Sequence, residues 1–128
     1  KCWGNNQGGQ LGDGATTTRY SPTPVLGLSG AAAIAAGSGH TCALMQGGTA
    51  KCWGYGDNGA IGDGTADDHW APTQIPGLAG VDSIFAGNSR SCAIEQGGTA
   101  KCWGYNQRGQ LGDGTTTTQY SPTPVVGF

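Results

Sequence analysis

Lys51-Cys52-Trp53-Gly54, running on into Tyr55-Gly56-Asp57-Asn58-Gly59-Ala60-Ile61-Gly62-Asp63-Gly64, is one of three copies of a block that recurs every 50 residues. The other copies begin Lys1-Cys2-Trp3-Gly4 and Lys101-Cys102-Trp103-Gly104, and each leads into a glycine-rich turn, QGGQLGDG or QRGQLGDG. A fixed period of this size marks a repeat architecture, in which one supersecondary unit cannot bury its apolar face alone and stacks on its neighbours. Residues 1–28 agree with 101–128 at 22 of 28 positions, and 51–78 agree with 101–128 at 13 of 28. Residues 29–50 and 79–100 agree at 11 of 22. The repeat therefore fills the chain as about two and a half units and leaves no room for a second type of domain.

Within a unit the apolar stretches are short and bounded by glycine and proline, which suits strands; a helix would need ten or more periodic residues. The spacing predicts a first strand at 31–36, a second at 41–45, a third at 49–53 and a fourth of the 24–26 type, after the Ser-Pro pair. The alanine cluster at 31–36 is closed by Gly37, and its later copy, Val81-Asp82-Ser83-Ile84-Phe85, carries β-branched residues, so it too reads as a strand. Four strands per unit, with a long polar loop from Asn5 to Tyr20, is the content of a propeller blade. β-Helix coils would be much shorter, and ankyrin or helical repeats lack their periodic helices here. Kelch repeats share the period and the Gly-Gly pair, but Trp53 follows Gly48 too closely for that pattern. The expected fold is all-β, a partial propeller divided into a half blade (1–28) and two blades (29–78 and 79–128).

The five cysteines follow the repeat: Cys2, Cys52 and Cys102 form one set, Cys42 and Cys92 the other. If Gln46-Gly47-Gly48 is a three-residue hairpin loop, Met45 faces Thr49, and counting outward sets Cys42 opposite Cys52. Facing residues at a non-hydrogen-bonded antiparallel pair have Cα atoms roughly 4.5 Å apart, near the short end of what a disulfide accepts. The same count pairs Cys92 with Cys102. Three readings compete: a disulfide in each blade, reduced cysteines packed as small hydrophobes, and a metal site built from His40, Cys42 and Cys52. Arg90 stands where the next unit would repeat His40, so no metal site recurs. Disulfides imply an oxidising compartment: extracellular, cell surface or periplasmic. Cys2 is left over, its partner expected outside the chain. That predicts a piece of a longer protein, or a second copy that supplies the missing hairpin.

Charge excludes one class of partner. Six basic residues against eight acidic ones give a net charge of −2, and Lys1, Lys51 and Lys101 are a full blade apart. Nucleic-acid binding needs clustered positive charge to displace counterions. No stretch approaches the ~20 apolar residues of a membrane-spanning helix.

Asp13, Asp63 and Asp113 recur in Gly-Asp-Gly. One recurring carboxylate falls short of a calcium loop and suits an aspartate that closes a tight turn, so no cofactor is expected. Asp67-Asp68-His69-Trp70 has no counterpart in the threonine-rich loops at 15–19 and 115–119, and a departure in an exposed loop is where binding is added or where sequence drifts. Trp3, Trp53 and Trp103, each beside a cysteine, are read as packing between blades. Tyr20, Trp70 and Tyr120, each just before a Ser-Pro or Ala-Pro pair, are read as structural plugs, with a carbohydrate-stacking row as the alternative. Neither His40 nor His69 has a nucleophile arranged with it, and no enzyme is indicated.

Asn6-Gln7-Gly8-Gly9-Gln10-Leu11-Gly12-Asp13-Gly14, Ser21-Pro22-Thr23-Pro24-Val25, Ile34-Ala35-Ala36-Gly37-Ser38-Gly39-His40-Thr41-Cys42-Ala43-Leu44 and Lys51-Cys52-Trp53-Gly54 together resemble the regulator of chromosome condensation repeat. The resemblance implies a propeller, commonly seven-bladed, with four strands to a blade; the cysteine pair is similar to that of bacterial, often exported, members. The founding member is a guanine-nucleotide exchange factor that binds chromatin through particular loops and a basic tail, neither visible here. A secreted member inhibits a β-lactamase with its loop face. The expected role is thus a non-catalytic binding or structural module acting on a protein, with a lectin or secreted inhibitor as the alternative and nucleotide exchange behind both. Expected partners are a protein or glycan on the loop face, and further blades from the same longer chain or another copy.

Overall fold

The computed structural model describes all residues, Lys1–Phe128. Ten strands follow in chain order: β1 (Cys2–Gly4), β2 (Arg19–Thr23), β3 (Ala31–Ala36), β4 (His40–Met45), β5 (Ala50–Gly54), β6 (His69–Gln74), β7 (Val81–Ala86), β8 (Arg90–Glu95), β9 (Ala100–Gly104) and β10 (Gln119–Pro124). A single 3-10 turn, Asp57–Gly59, lies in the loop after β5. The strands form two antiparallel four-stranded sheets, β3-β4-β5-β6 and β7-β8-β9-β10, and a two-stranded sheet, β1-β2. Strands succeed one another in space as in sequence, which is the up-and-down meander of a propeller blade.

The Gln46-Gly47-Gly48 hairpin sets the register. The Met45 N–H donates to the Thr49 carbonyl at 2.8 Å and the Gly48 N–H to the Met45 carbonyl at 3.0 Å. Cys42 then faces Cys52, and by the same register Cys92 faces Cys102. In both pairs the Cα atoms are 4.1 Å apart and the sulfurs lie at disulfide distance.

The fourth strand differs from its sequence-based expectation. It begins one residue before the repeated aromatic, at Arg19, His69 or Gln119, and runs through the Ser-Pro or Ala-Pro pair instead of starting after it. Proline removes a ladder donor, so it is tolerated on an edge strand or at a bulge. Both conditions hold, since this strand is at the sheet's edge and its pairing slips between Gly4↔Arg19 and Cys2↔Thr23. The slip recurs in both full blades.

The core lies between sheets. Cys42, Leu44, Ala50, Cys52, Ile61 and Ile75 of one blade receive Val81, Ile84, Ala93 and Trp103 of the next. Trp53 packs one junction earlier, with Val25 and Leu28 from the half blade against it. Each buried indole hides some 150–250 Å², on the order of 5 kcal/mol of apolar burial. A glycine of the preceding loop packs against it. A β-carbon on Gly12 would come within 2.6 Å of Trp53 Nε1, and one on Gly62 would collide with Trp103 Nε1.

Gly62 and Gly77 share a left-handed backbone, but a β-carbon at Gly77 meets nothing. Gly77→Ala should therefore cost about 1–2 kcal/mol of backbone strain, and Gly62→Ala a further ~1–3 kcal/mol from overpacking against the indole. Urea unfolding of the two variants checks this; equal losses would remove the indole contact from the account.

Candidate functional site at the blade junctions and loop face

Each loop between third and fourth strands is organised from within. The wholly buried Asn6 amide donates to Asp13 Oδ1 (3.0 Å) and to the carbonyls of Ala15 (3.0 Å) and Thr17 (3.1 Å). Its oxygen accepts from the Leu11 N–H at 2.9 Å. Asn106 repeats the arrangement on Asp113, Thr115, Thr117 and Leu111. The aspartate closes the turn by accepting from the backbone N–H two residues on: Ala15, Thr65 or Thr115. Its other oxygen takes a different partner in each copy: Arg19 Nε at 2.6 Å, His69 Nε2 at 2.7 Å, Gln119 Nε2 at 2.7 Å. The His69 approach is short but lacks the alignment of a hydrogen bond.

These contacts hold the aspartates ionised. Burial works against the charge on Asp13, but hydrogen bonds from Arg19, Asn6 and the Ala15 N–H outweigh it and keep the carboxyl below its usual range. Burial likewise opposes the Asp63 charge, and the Thr65 N–H and hydroxyl with His69 overcome it. At Asp113 the Thr115 N–H is the largest cause of the same downward shift. Each carboxylate is thus committed to its own loop.

The middle copy shows why Asp67-Asp68 departs from the repeat. Gly56 replaces the buried asparagine, and the loop moves into the vacated space: a β-carbon at Gly56 would collide with the Asp67 carbonyl. Asp68 Oδ1 accepts from the Gly56 N–H at 2.8 Å. His69 sits on Asp63, and Trp70 lies across Gly9 of the preceding loop. Asp68, His69 and Trp70 thus each make a contact within the fold, while Asp67, Asp68 and Trp70 remain exposed to solvent.

At the junctions one backbone carbonyl of the preceding loop accepts two donors. Trp53 Nε1 (3.0 Å) and Thr41 Oγ1 (2.8 Å) both reach the Gln10 carbonyl. Trp103 Nε1 (3.1 Å) and Ser91 Oγ (3.0 Å) both reach that of Ala60. His40 Nε2 lies 2.8 Å from Ser91 Oγ. Because the serine proton goes to Ala60, Nε2 must carry the hydrogen and donate to Ser91. Burial lowers the His40 pKa to about 4, the Arg90 backbone opposing the shift. His40 thereby lies in a hydrogen-bonded junction beside Cys42, whose sulfur is 3.6 Å from Ser91 Oγ.

The repeated aromatics divide. Trp53 and Trp103 are 0% exposed, whereas Trp3 is 61% exposed. Tyr20, Trp70 and Tyr120 are 95%, 52% and 43% exposed. Trp70 and Tyr120 lay one side on Gly9 and Gly59, and their carbonyls accept from Gly14 (2.9 Å) and Gly64 (2.8 Å) across the junction. Their outer sides are exposed on the edge strands β6 and β10. Cys2 is a half-buried free thiol whose pKa burial raises. Sequence reasoning missed Asn6 and Asn106. Their recurrence at one position, and the coincidence of Gly56 with the altered 67–68 loop, were the signals available.

Four-stranded meander blades joined by tryptophan-filled junctions define a β-propeller. The model of the regulator of chromosome condensation (RCC1) repeat matches residues 2–44, 48–94 and 98–128, and a second model of that repeat matches 31–60 and 81–110. The chain belongs to the RCC1 repeat family. No curated protein matches it significantly. Among solved structures it is similar to Prp20p of Saccharomyces cerevisiae (28% identity, TM-score 0.76), described with its binding to Gsp1p and histones. It is also similar to human WBSCR16 (29%, 0.81) and to a chain of the complex of Kap60 with yeast RCC1 (Prp20) (28%, 0.77). In each case 96% of this chain is covered, but only 33%, 34% and 32% of the other, so it spans about a third of their length.

His40 makes stability depend on pH. The unfolded chain binds its proton near pH 6.5 and the folded chain only near 4. Stability is therefore complete above about 6.5 and falls as pH drops towards 4, by about 3 kcal/mol in all. Unfolding free energies measured across that window should show the slope in the native chain, and His40→Gln should flatten it. An unchanged slope in the variant would contradict the assignment.

Proposed function

We propose that this chain is a non-catalytic protein-binding module, part of a disulfide-stapled propeller that works outside the cytoplasm. The observation that carries the reading is the row of half-exposed aromatics at one repeat position on the outer strands, Trp70 and Tyr120 foremost. The Trp70 and Tyr120 rings are anchored on Gly9 and Gly59 and present their other sides to solvent. Rigid, part-buried Tyr and Trp give contact area at low entropic cost and dominate interface energetics. Solved relatives described with protein partners, Gsp1p, histones and Kap60, lend the reading general support.

The cysteine pairs at disulfide distance support an extracellular, cell-surface or periplasmic setting and an origin among the bacterial, cysteine-bearing members. Carbohydrate stacking is the second reading, favoured by the same aromatics. Nucleotide exchange ranks below both: its support is likeness to Prp20p, of which this chain spans a third.

Immobilised chain offered secreted and surface proteins should capture a partner saturably. Trp70→Ala with Tyr120→Ala should weaken that binding by about tenfold or more, with folding intact by circular dichroism. Selective sugar binding on a glycan array would replace the reading with the second one. Accelerated nucleotide release from a small GTPase would overturn it in favour of exchange.

A further inference from the structure

A cavity of about 220 Å³ opens between the two full blades, where the turns after β3 and β7 meet the loop after β5. Both blades that wall it have all four strands in place, so the junction itself sets its shape. Its polar lining is Ser38, His40, Tyr55, Asp57 and Ser89. The volume falls below the ~300–1,000 Å³ of pockets for drug-sized ligands and suits a single side chain.

The chemistry of the walls selects that side chain. Asp57 supplies a negative charge, no lysine or arginine borders the cavity, and burial keeps His40 uncharged at neutral pH. The Tyr55 ring is held against Gly8 and Gly39 yet stays 36% exposed. The Ser38 hydroxyl donates to Asn88 Oδ1 at 3.2 Å, which leaves its lone pairs to accept. A carboxylate, an aromatic ring and hydroxyl oxygens together match a compact ammonium with three donors.

Two comparisons within the chain single out this junction. Fifty residues earlier, Asn5 and Gln7 stand in place of Tyr55 and Asp57; fifty residues later, Gln107 replaces Asp57 and Arg90 replaces His40. Ser89 also sits against backbone preference, with φ at 53° where the preceding blade has Gly39. Residues other than glycine rarely take that conformation. What the serine adds there is a hydroxyl on the cavity wall.

We propose that this cavity receives the ammonium of a lysine side chain from a protein partner, with Asp57 as counter-ion, the Tyr55 ring beside it, and Ser38 and Ser89 as acceptors. The proposal rests on the reading of the chain as a protein-binding module and gives that partner an anchor on the loop face, apart from Trp70 and Tyr120.

Nitrogen-15 correlation spectra of the native chain, titrated with Nα-acetyl-lysine amide, test it. Saturable shifts should appear at the amides of Ser38, Tyr55 and Ser89 in the millimolar range. Nα-acetyl-norleucine amide, which lacks only the amine, should bind at least about fivefold more weakly, and Asp57→Asn should weaken the lysine compound by a similar factor. Asp67→Asn, which removes an exposed charge outside the cavity, should behave as native. Ser89→Gly should weaken binding about threefold while Tm stays level or rises, an outcome that a purely structural serine would not give. Absence of saturable shifts would overturn the proposal. So would equal binding of the norleucine compound, a loss with Asp67→Asn as large as with Asp57→Asn, or preferential binding of methyl glucoside at the same amides. Probe binding without capture of any protein would overturn the partner reading alone; capture without probe binding would overturn this proposal alone.

Discussion

A single backbone carbonyl, at Gln10 in one loop and Ala60 in the next, is the point on which neighbouring blades close. Each accepts an indole N–H and a hydroxyl from the following blade, using both lone pairs of an oxygen buried between sheets. A buried carbonyl left without partners would cost roughly 1–3 kcal/mol, so the indole both fills the junction and satisfies it. Several other requirements follow. The residue two positions after the carbonyl has to be glycine, because a side chain there would occupy the indole's place. The loop carrying the carbonyl has to be rigid enough to present it.

That rigidity is the task of the polar residues that recur inside the loop. The buried amides of Asn6 and Asn106 tie three acceptors together, while the Gly-Asp-Gly carboxylate pins the turn and one long side chain from the fourth strand. The middle loop reaches a comparable shape by another route. Losing the amide at Gly56 admits the chain at 67, and Asp68 takes over a backbone donor. The two changes compensate each other, and the segment still presents Asp67, Asp68 and the outer side of Trp70 to solvent.

Much of this architecture is legible in the sequence because its determinants are local. Paired glycines fix the hairpin, the hairpin fixes the register, and the register sets cysteine opposite cysteine. The fourth strand was misplaced because Pro22, Pro72 and Pro122 read as breakers, whereas an edge strand with a bulge absorbs a missing donor. Asn6 and Asn106 went unread because their partners are mostly backbone carbonyls, which leave no trace in residue identity. The acceptors at Gln10 and Ala60 are hidden for the same reason: any residue supplies a carbonyl, and here two dissimilar ones do. The exposure of Tyr20, Trp70 and Tyr120 was also unreadable, since a recurring aromatic looks the same whether it seals a core or rests on a glycine at the surface.

The indole N–H groups report on the junctions individually. In a dilute sample, amide and indole hydrogen exchange followed by nitrogen-15 correlation spectra should find the Nε1 protons of Trp53 and Trp103 strongly protected, opening only with global unfolding. Those of Trp3 and Trp70 should exchange rapidly. Rapid exchange at Trp53 and Trp103 as well would contradict the account, because it would mean that the carbonyls of Gln10 and Ala60 do not hold the blades together.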